Sequence, residues 1–262
     1  MLLFAAFSVP VSAADDANRL PTLYVIGDST AAAYSMSRYP LFGWAQVLQH
    51  YFDASKLRVA DRAISGRSSK SFYDAGSWTP IRELLQPGDY VFIQFGHNDQ
   101  KKDDPKRYTE PTTTYTEYLK RYVDETRSAG ATPILLTPIN RNSWETPKKL
   151  RDSLGGYPDA VRKLAKSERV PLIDLHKRTA RLYRKLGQER TTRLFIYLPP
   201  GLYPAYPDGR PDNTHLQERG AYTISGLAIK AIRRQRIPLR RYLKSIHHSW
   251  GLKRRLQQKA DF

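Results

Sequence analysis

Ser29 lies in "LYVIGDSTAAAY", residues 23–34, where four apolar residues run straight into Gly27, Asp28 and Ser29. A serine hydroxyl becomes a nucleophile when a base that titrates near neutral pH stands beside it, and histidine is the usual one. The chain has six histidines: His50, His97, His176, His215, His247 and His248. His50 falls inside a helical pattern, and His247 and His248 fall in a basic tail. His176 follows "LIDL" and begins a helix, with Asp174 reading as its cap. His97 and His215 remain. His215 sits in "RPDNTHLQERG", three residues after Asp212. An acid there can accept from one imidazole nitrogen and leave the other free, which is the orienting half of a serine triad. Thr214 and Gln217 have capping-box spacing, so a helix is expected to begin here and to hold the pair in a loop-to-helix turn. Taken alone, each piece has a plainer reading: a polar turn after a strand, and a capped turn with an exposed histidine.

The elements that would carry these residues alternate along the chain. Apolar runs occur at Leu23–Ile26, Leu57–Ala60, Tyr90–Phe95, Pro133–Thr137 and Pro171–Asp174. Helical spacing occurs over Leu41–Phe52, Tyr115–Ser128, Ala160–Glu168 and Lys177–Leu186, the last stopped by Gly187. Strands alternating with helices imply βαβ units and a parallel sheet covered on both faces. The fold class is α/β: a three-layer sandwich around a flavodoxin-like, doubly wound sheet of about five strands. Sites in such folds lie at the carboxyl ends of the strands. "GDS", "AISGRSS", "FGHND" and "TPINRNSW" follow the first four runs, so all four open onto one edge.

Ser29 is not an α/β-hydrolase elbow, because G-x-S-x-G would need glycine where Ala31 stands. Instead, "GDS", the glycine of "SGRSS", "GHND" and "DNTH" resemble the four blocks of the SGNH (GDSL-type) hydrolases, in order across residues 27–215. "GDST", "GRSS" and "YPDGRPDNTH" look like the rhamnogalacturonan acetylesterase branch. The resemblance implies Ser29 as nucleophile and Asp212 and His215 as its triad partners. It implies an oxyanion hole built from the backbone N–H of Gly66, the side-chain amide of Asn98 and the backbone N–H of Ser29. Acyl transfer by such a set requires no metal and no organic cofactor. Asp28 then reads as a loop organiser, Asp99 as a shaper of its own turn, and His97 as a strand-end histidine bonded to backbone.

The branch implies an acetylated, galacturonate-containing polysaccharide as substrate. The net charge of +18 is compatible with a polyanion of this kind. Arg67, Arg141 and Arg210 are the cations nearest the expected site and are candidate carboxylate contacts. Phe72, Trp78, Trp144, Tyr203 and Tyr206 are aromatic candidates for its rim, and the proline-rich stretch 198–212 reads as a loop walling a groove. No nucleic-acid partner is expected, and the protein is expected to be a monomer.

There is no cysteine, which excludes disulfides, thiolate nucleophiles and cysteine-ligated metals. Residues 1–13 read as a secretory signal lacking its basic start, so a secreted or periplasmic protein is expected. The hydrolase domain is expected over 20–234 and a basic extension over 235–262. From Arg233 onward there are ten basic residues against one acid, a net of +9, half the chain's excess. Leu239, Leu243, Ile246 and Trp250 recur at helical spacing, so the extension is expected as an amphipathic helix that packs on the domain or touches an anionic membrane surface.

Overall fold

The computed structural model describes residues 19–245. The apolar leader at 1–13, and Ile246 and Trp250 of the tail stripe, lie outside the described residues. In chain order the elements are β1 (Thr22–Gly27), β2 (Leu41–Phe42), a 3-10 helix (Ala45–Tyr51), β3 (Arg58–Asp61), α1 (Ser69–Asp74), α2 (Thr79–Leu84) and β4 (Tyr90–Gln94). They continue with α3 (Thr114–Ser128), β5 (Thr132–Leu136), β6 (Trp144–Thr146), β7 (Lys149–Leu150), α4 (Tyr157–Ser167), β8 (Leu172–Ile173) and α5 (Leu175–Thr192). Last come β9 (Phe195–Leu198), β10 (Arg210–Gln217), α6 (Glu218–Arg234) and a 3-10 turn (Pro238–Tyr242).

The five apolar runs form the central sheet, in order β3-β1-β4-β5-β8, with every pair parallel. Alternation along β1 explains why the runs are apolar throughout. Leu23 and Val25 enter one core with Trp44, Phe92, Tyr183 and Ile224. Tyr24 and Ile26 enter the opposite core with Phe72, Trp78, Tyr115 and Tyr122. Leu23, Val25 and Ile26 are fully buried, which stabilises by about 2 kcal/mol per side chain before entropy is counted. Phe72 and Trp78 are therefore core residues and not part of a rim. Gly187 breaks α5, with φ 76°, and the helix resumes beyond it.

Three expectations about local structure are corrected. Leu41–Phe52 is not an α-helix. Its backbone is pinned to the loop after β1 by Trp44 N–H to Thr30 O (2.9 Å) and Ala45 N–H to Ala31 O (3.2 Å), leaving a short strand and a 3-10 helix. The stretch 198–212 is not wholly loop, because both its ends are in strands: β9 pairs antiparallel with β10, and β2 pairs with the other edge of β10. Finally, no helix begins at Thr214. The Gln217 side chain donates to Phe195 O (2.6 Å) and the Thr214 hydroxyl donates to Asn213 Oδ1 (2.8 Å), so neither serves a cap, and α6 starts at Glu218.

After α6 the chain packs back on the domain. Leu239 is buried, and Leu243 bridges to Phe52. The described part of the tail is a 3-10 turn begun by Pro238, not an α-helix. No helix among the described residues is long and apolar enough to cross a membrane.

Candidate active site

β1 and β4 are neighbours at the point where strand order reverses, which is where doubly wound sheets bind ligands. The loops after these two strands hold Ser29 and Asn98. A buried polar network fixes them. The Thr30 hydroxyl donates to Asp28 Oδ1 (2.8 Å) and lies 3.4 Å from Gln94 Oε1, which also accepts from Trp44 Nε1 (2.7 Å). Gln94 Nε2 donates to Thr137 O (3.1 Å), so the ends of β1, β4 and β5 are tied together.

Ser29 Oγ lies 2.9 Å from His215 Nε2, and His215 Nδ1 lies 2.8 Å from Asp212 Oδ2. Asp212 Oδ1 accepts from the backbone N–H groups of Thr214 (2.9 Å) and His215 (3.0 Å). Burial pushes the Asp212 carboxyl up, but hydrogen bonds from the His215 side chain and backbone, its charge and the Thr214 N–H outweigh that and hold it well below the usual carboxylate range. The carboxylate can only accept, so His215 Nδ1 carries the proton and Nε2 presents its lone pair to the Ser29 hydroxyl. In a regular strand, positions 212 and 215 would face opposite ways. The pairing of β10 shifts register between Asp212 and Leu216, and this irregularity turns His215 back onto Asp212.

Around Ser29 there are unspent donors. No hydrogen bond among the described residues uses the backbone N–H of Ser29 or of Gly66. Gly66 has φ 79°, and a Cβ added there would meet nothing within 4 Å, so glycine is required by conformation rather than by crowding. Asn98 is buried; its side-chain amide donates to Arg67 O (3.0 Å), which fixes its orientation and leaves its second N–H. Tyr34 was not singled out by the sequence, yet its hydroxyl donates to Ser29 O (2.7 Å).

Asp28 is fully buried and makes its hydrogen bonds to Thr30 and His97 rather than to Ser29 Oγ. Its carboxylate accepts from Thr30 N–H and O–H, and His97 Nδ1 lies 3.2 Å from its other oxygen. Burial would raise the Asp28 carboxyl, but His97 and Thr30 hold it below its ordinary value, while burial pushes His97 down. A neutral His97 therefore donates to an ionised Asp28. The expected backbone partner of His97 is replaced by this side chain, a contact across 69 residues with no local signature. Asp99 shapes its turn by accepting from Ser69 N–H (3.0 Å), the Ser69 hydroxyl and the Thr109 hydroxyl.

The candidate substrate contacts separate. Arg210 is committed to Asp212, donating from Nε (3.1 Å) and Nη2 (2.8 Å), and its guanidinium lies over the Tyr206 ring. Arg141 donates to Ser153 O (3.2 Å) and to His97 O (3.4 Å). Arg67, half-buried and next to Gly66 in the chain, makes no side-chain hydrogen bond or ion pair with the described residues. Trp144 is half-buried and donates to Asn142 Oδ1 (2.7 Å). Tyr203 packs with Tyr206 near Leu41 and Leu198.

A parallel five-stranded sheet with a serine, a histidine and an aspartate aligned at its carboxyl edge describes a hydrolase of the serine-dependent, SGNH kind. Residues 25–221 match the GDSL-like Lipase/Acylhydrolase family, and the chain belongs to that family. Rhamnogalacturonan acetylesterase RhgT of Bacillus subtilis (strain 168) is 38% identical over 223 residues, covering 85% of this chain and 94% of the relative. Probable rhamnogalacturonan acetylesterase YesY of the same organism is 36% identical over 220 residues, 83% and 94% of the two chains. Among solved structures, the Bacillus subtilis protein YxiM superposes with a TM-score of 0.70 at 27% identity, over 84% of this chain and 58% of that one. Axe2, an acetylxylan esterase from Geobacillus stearothermophilus, superposes with a TM-score of 0.58 at 19% identity, a likeness of fold alone.

Proposed function

We propose that this protein is a serine esterase that removes acetyl groups from an acidic, rhamnogalacturonan-type pectic polysaccharide. The line Ser29–His215–Asp212 carries the esterase part of this reading. His215 Nε2 takes the Ser29 proton as Oγ attacks the acetyl carbonyl. The oxyanion is held by the N–H groups of Ser29 and Gly66 and by the Asn98 amide, fixed before the reaction begins. The sugar alcohol leaves with the proton from His215. Water, deprotonated by the same nitrogen, then releases acetate and restores Ser29.

The substrate part is supported by the similarity to RhgT and YesY and by charge. Arg67, which follows Gly66 in the chain, is the carboxylate contact of this reading, since its side chain has no hydrogen-bond or ion-pair partner among the described residues. Trp144, half-buried where it packs against the core, is the aromatic candidate for a sugar contact in this reading. The apolar leader supports a protein that is secreted or periplasmic.

Acetate release from acetylated rhamnogalacturonan and acetylated xylan tests both parts, with wild type beside Ser29→Ala. Wild type is expected to prefer the pectic polymer, and the variant is expected to be folded and inactive. A variant as active as wild type refutes the nucleophile. An active wild type that ignores the pectic polymer refutes the substrate.

A further inference from the structure

α5 and α6 pack against each other, and a cleft of about 540 Å³ is lined by both. Lys177, Arg178 and Arg181 of α5 and Lys230 and Arg234 of α6 line it, against one carboxylate, Asp174. No residue of this lining belongs to the triad or to the oxyanion donors. Asp174 is already spent: it accepts from Arg162 Nε (2.9 Å) and Nη2 (3.1 Å) and from the Lys177 backbone N–H (3.0 Å). The five cations make no side-chain hydrogen bond or ion pair with the described residues. Cations on other helix surfaces meet acids: Lys70 meets Asp74, and Lys120 meets Asp124 and Glu168.

Helix chemistry does not account for this concentration of charge. Lys177 and Arg181 are one turn apart, as are Lys230 and Arg234, and like charges at that spacing repel. Lys177 and Arg178 stand near the start of α5, at the positive end of its dipole, where cations are disfavoured. Arg234 alone suits its place, in the last turn of α6. Arg178 is half-buried, and its Nε is buried with no partner among the described residues. Burial first and the Arg234 charge second hold its guanidinium below its ordinary value, and the pull of Asp174 does not make up the difference. A buried N–H without an acceptor, among cations without counter-charges, is a place that an anion completes.

We propose that the cleft between α5 and α6 is a second binding site, separate from the triad, that takes the repeated carboxylates of an acidic polysaccharide. A small anion engages one or two such side chains, whereas cations spread along two helices suit an extended chain with repeated charges. The arginines among them match a carboxylate with two parallel N–H groups. The lining holds no aromatic side chain on which bases could stack, and its one apolar residue is Leu227, so recognition there is by charge. The choice of polyanion rests on the pectic reading of the substrate. A polymer held here stays near the enzyme between turnovers, because its acetylated residues then reach Ser29 without a fresh encounter.

The test is calorimetric binding of a long, unacetylated oligogalacturonate at low salt. It compares wild type, Arg181→Glu with Lys230→Glu, and Lys163→Glu with Lys166→Glu. Lys163 and Lys166 are exposed on α4, whose Val161 and Leu164 enter the core on the other side of the sheet. The two double variants carry the same net charge, so a difference between them reports on place. The cleft variant is expected to bind at least about tenfold more weakly, since two charge-assisted contacts are lost. The α4 variant is expected to stay within about threefold of wild type. Turnover of 4-nitrophenyl acetate is expected to be unchanged in both. If the double reversal does not fold, Arg181→Gln with Lys230→Gln takes its place, with the same expectation and the same refutation. A wild type that does not bind the oligogalacturonate, a cleft variant that binds it as wild type does, or an equal loss in the two double variants overturns the proposal. Single-stranded DNA held more tightly than the saccharide, and released by the cleft variant, overturns the choice of partner. The substrate reading fails separately: a wild type that releases no acetate from acetylated rhamnogalacturonan, while the cleft variant alone loses the oligogalacturonate, refutes that reading and upholds the site.

Discussion

Asp212→Asn changes one atom and should disable the proposed base. Every lone-pair direction of the Asp212 carboxylate faces a donor. Oδ1 receives the N–H groups of Thr214 and His215, and Oδ2 receives His215 Nδ1 and two N–H groups of Arg210. An amide has one oxygen. If it takes the Oδ1 position, the NH2 group faces Arg210 and the ring, and His215 can be satisfied there only by accepting at Nδ1. Nε2 then carries the proton and points it at Ser29 Oγ, which is the wrong tautomer for a base. If the amide turns over, its NH2 meets two backbone N–H groups that cannot move far. The first arrangement predicts a kcat loss on the order of 10⁴, or about 5–6 kcal/mol in the barrier.

The assay is acetate release under saturating substrate at pH 7, with near-ultraviolet circular dichroism to establish that the variant is folded. Stability should report separately. The folded-state pKa of Asp212 is depressed, so its contribution is complete at neutral pH and is lost as pH falls through the carboxylate range. The variant should therefore be less stable than wild type at pH 7, by about 1–3 kcal/mol for donors left without an acceptor. The gap should narrow on acidification. A folded Asp212→Asn that keeps kcat within about tenfold of wild type would mean that Asp212 does not set the tautomer of His215, and the reasoning would fall.

Further outcomes follow from the same geometry. Gly66→Ala should cost only about 1–2 kcal/mol of stability, because a side chain there is strained by φ but meets open space; kcat should fall by at least about tenfold as the N–H swings from the oxyanion. Thermal melts beside turnover check this, and an unimpaired kcat would remove Gly66 from the oxyanion hole. Asp99 is fully buried, with one oxygen that has no partner among the described residues, and burial pushes its carboxyl up to about 7. A raised carboxyl weighs on the fold only where it must ionise, so the penalty is absent below about pH 4 and complete above pH 7. Asp99→Asn keeps an oxygen for Ser69 and Thr109 and should stabilise by about 1–2 kcal/mol at pH 8 but not at pH 4, read from urea midpoints. A gain that is equal at both values would contradict the burial of an ionisable group.

Much of the fold was legible because strands buried on two faces cannot hide: "LYVIG" and "YVFIQ" have no polar face to confuse with a helix. The edge where Ser29, Gly66 and Asn98 gather was legible for the same reason, since strand ends locate it. What failed was local chemistry read as local structure. Thr214 and Gln217 carry the spacing of a capping box, but the Gln217 amide is taken by Phe195 O on the neighbouring strand. Pairing with β2 and β9 won over a cap worth about 1 kcal/mol. Arg38 and Tyr206, Tyr34 and Ser29, and His97 and Asp28 are pairs that no pattern along the chain announces. Arg210 is visible in the sequence as a cation near Asp212, but its side of the strand is not, because the prolines and glycines of 198–212 carry the pattern of a loop.

The proposed nucleophile and base are 186 residues apart and stand on different sheets, so the 2.9 Å between them has to be imposed by something rigid. β2 supplies it. The segment leaves the Ser29 loop, is fastened to that loop at Thr30 and Ala31, and pairs with β10 at Leu216 and Gln217, directly after His215. Gly43 sits at the bend, where a Cβ would lie only 2.1 to 2.3 Å from the carbonyl oxygens of Ala32 and Ala31, closer than any side chain can approach. α6 closes the same joint from behind, with the Ser225 hydroxyl donating to Trp44 O. Serine and histidine are thus positioned through main-chain hydrogen bonds, which do not change rotamer. The site needs that stiffness because one imidazole serves both halves of the reaction, and an error of an ångström at Nε2 would be felt twice in each turnover.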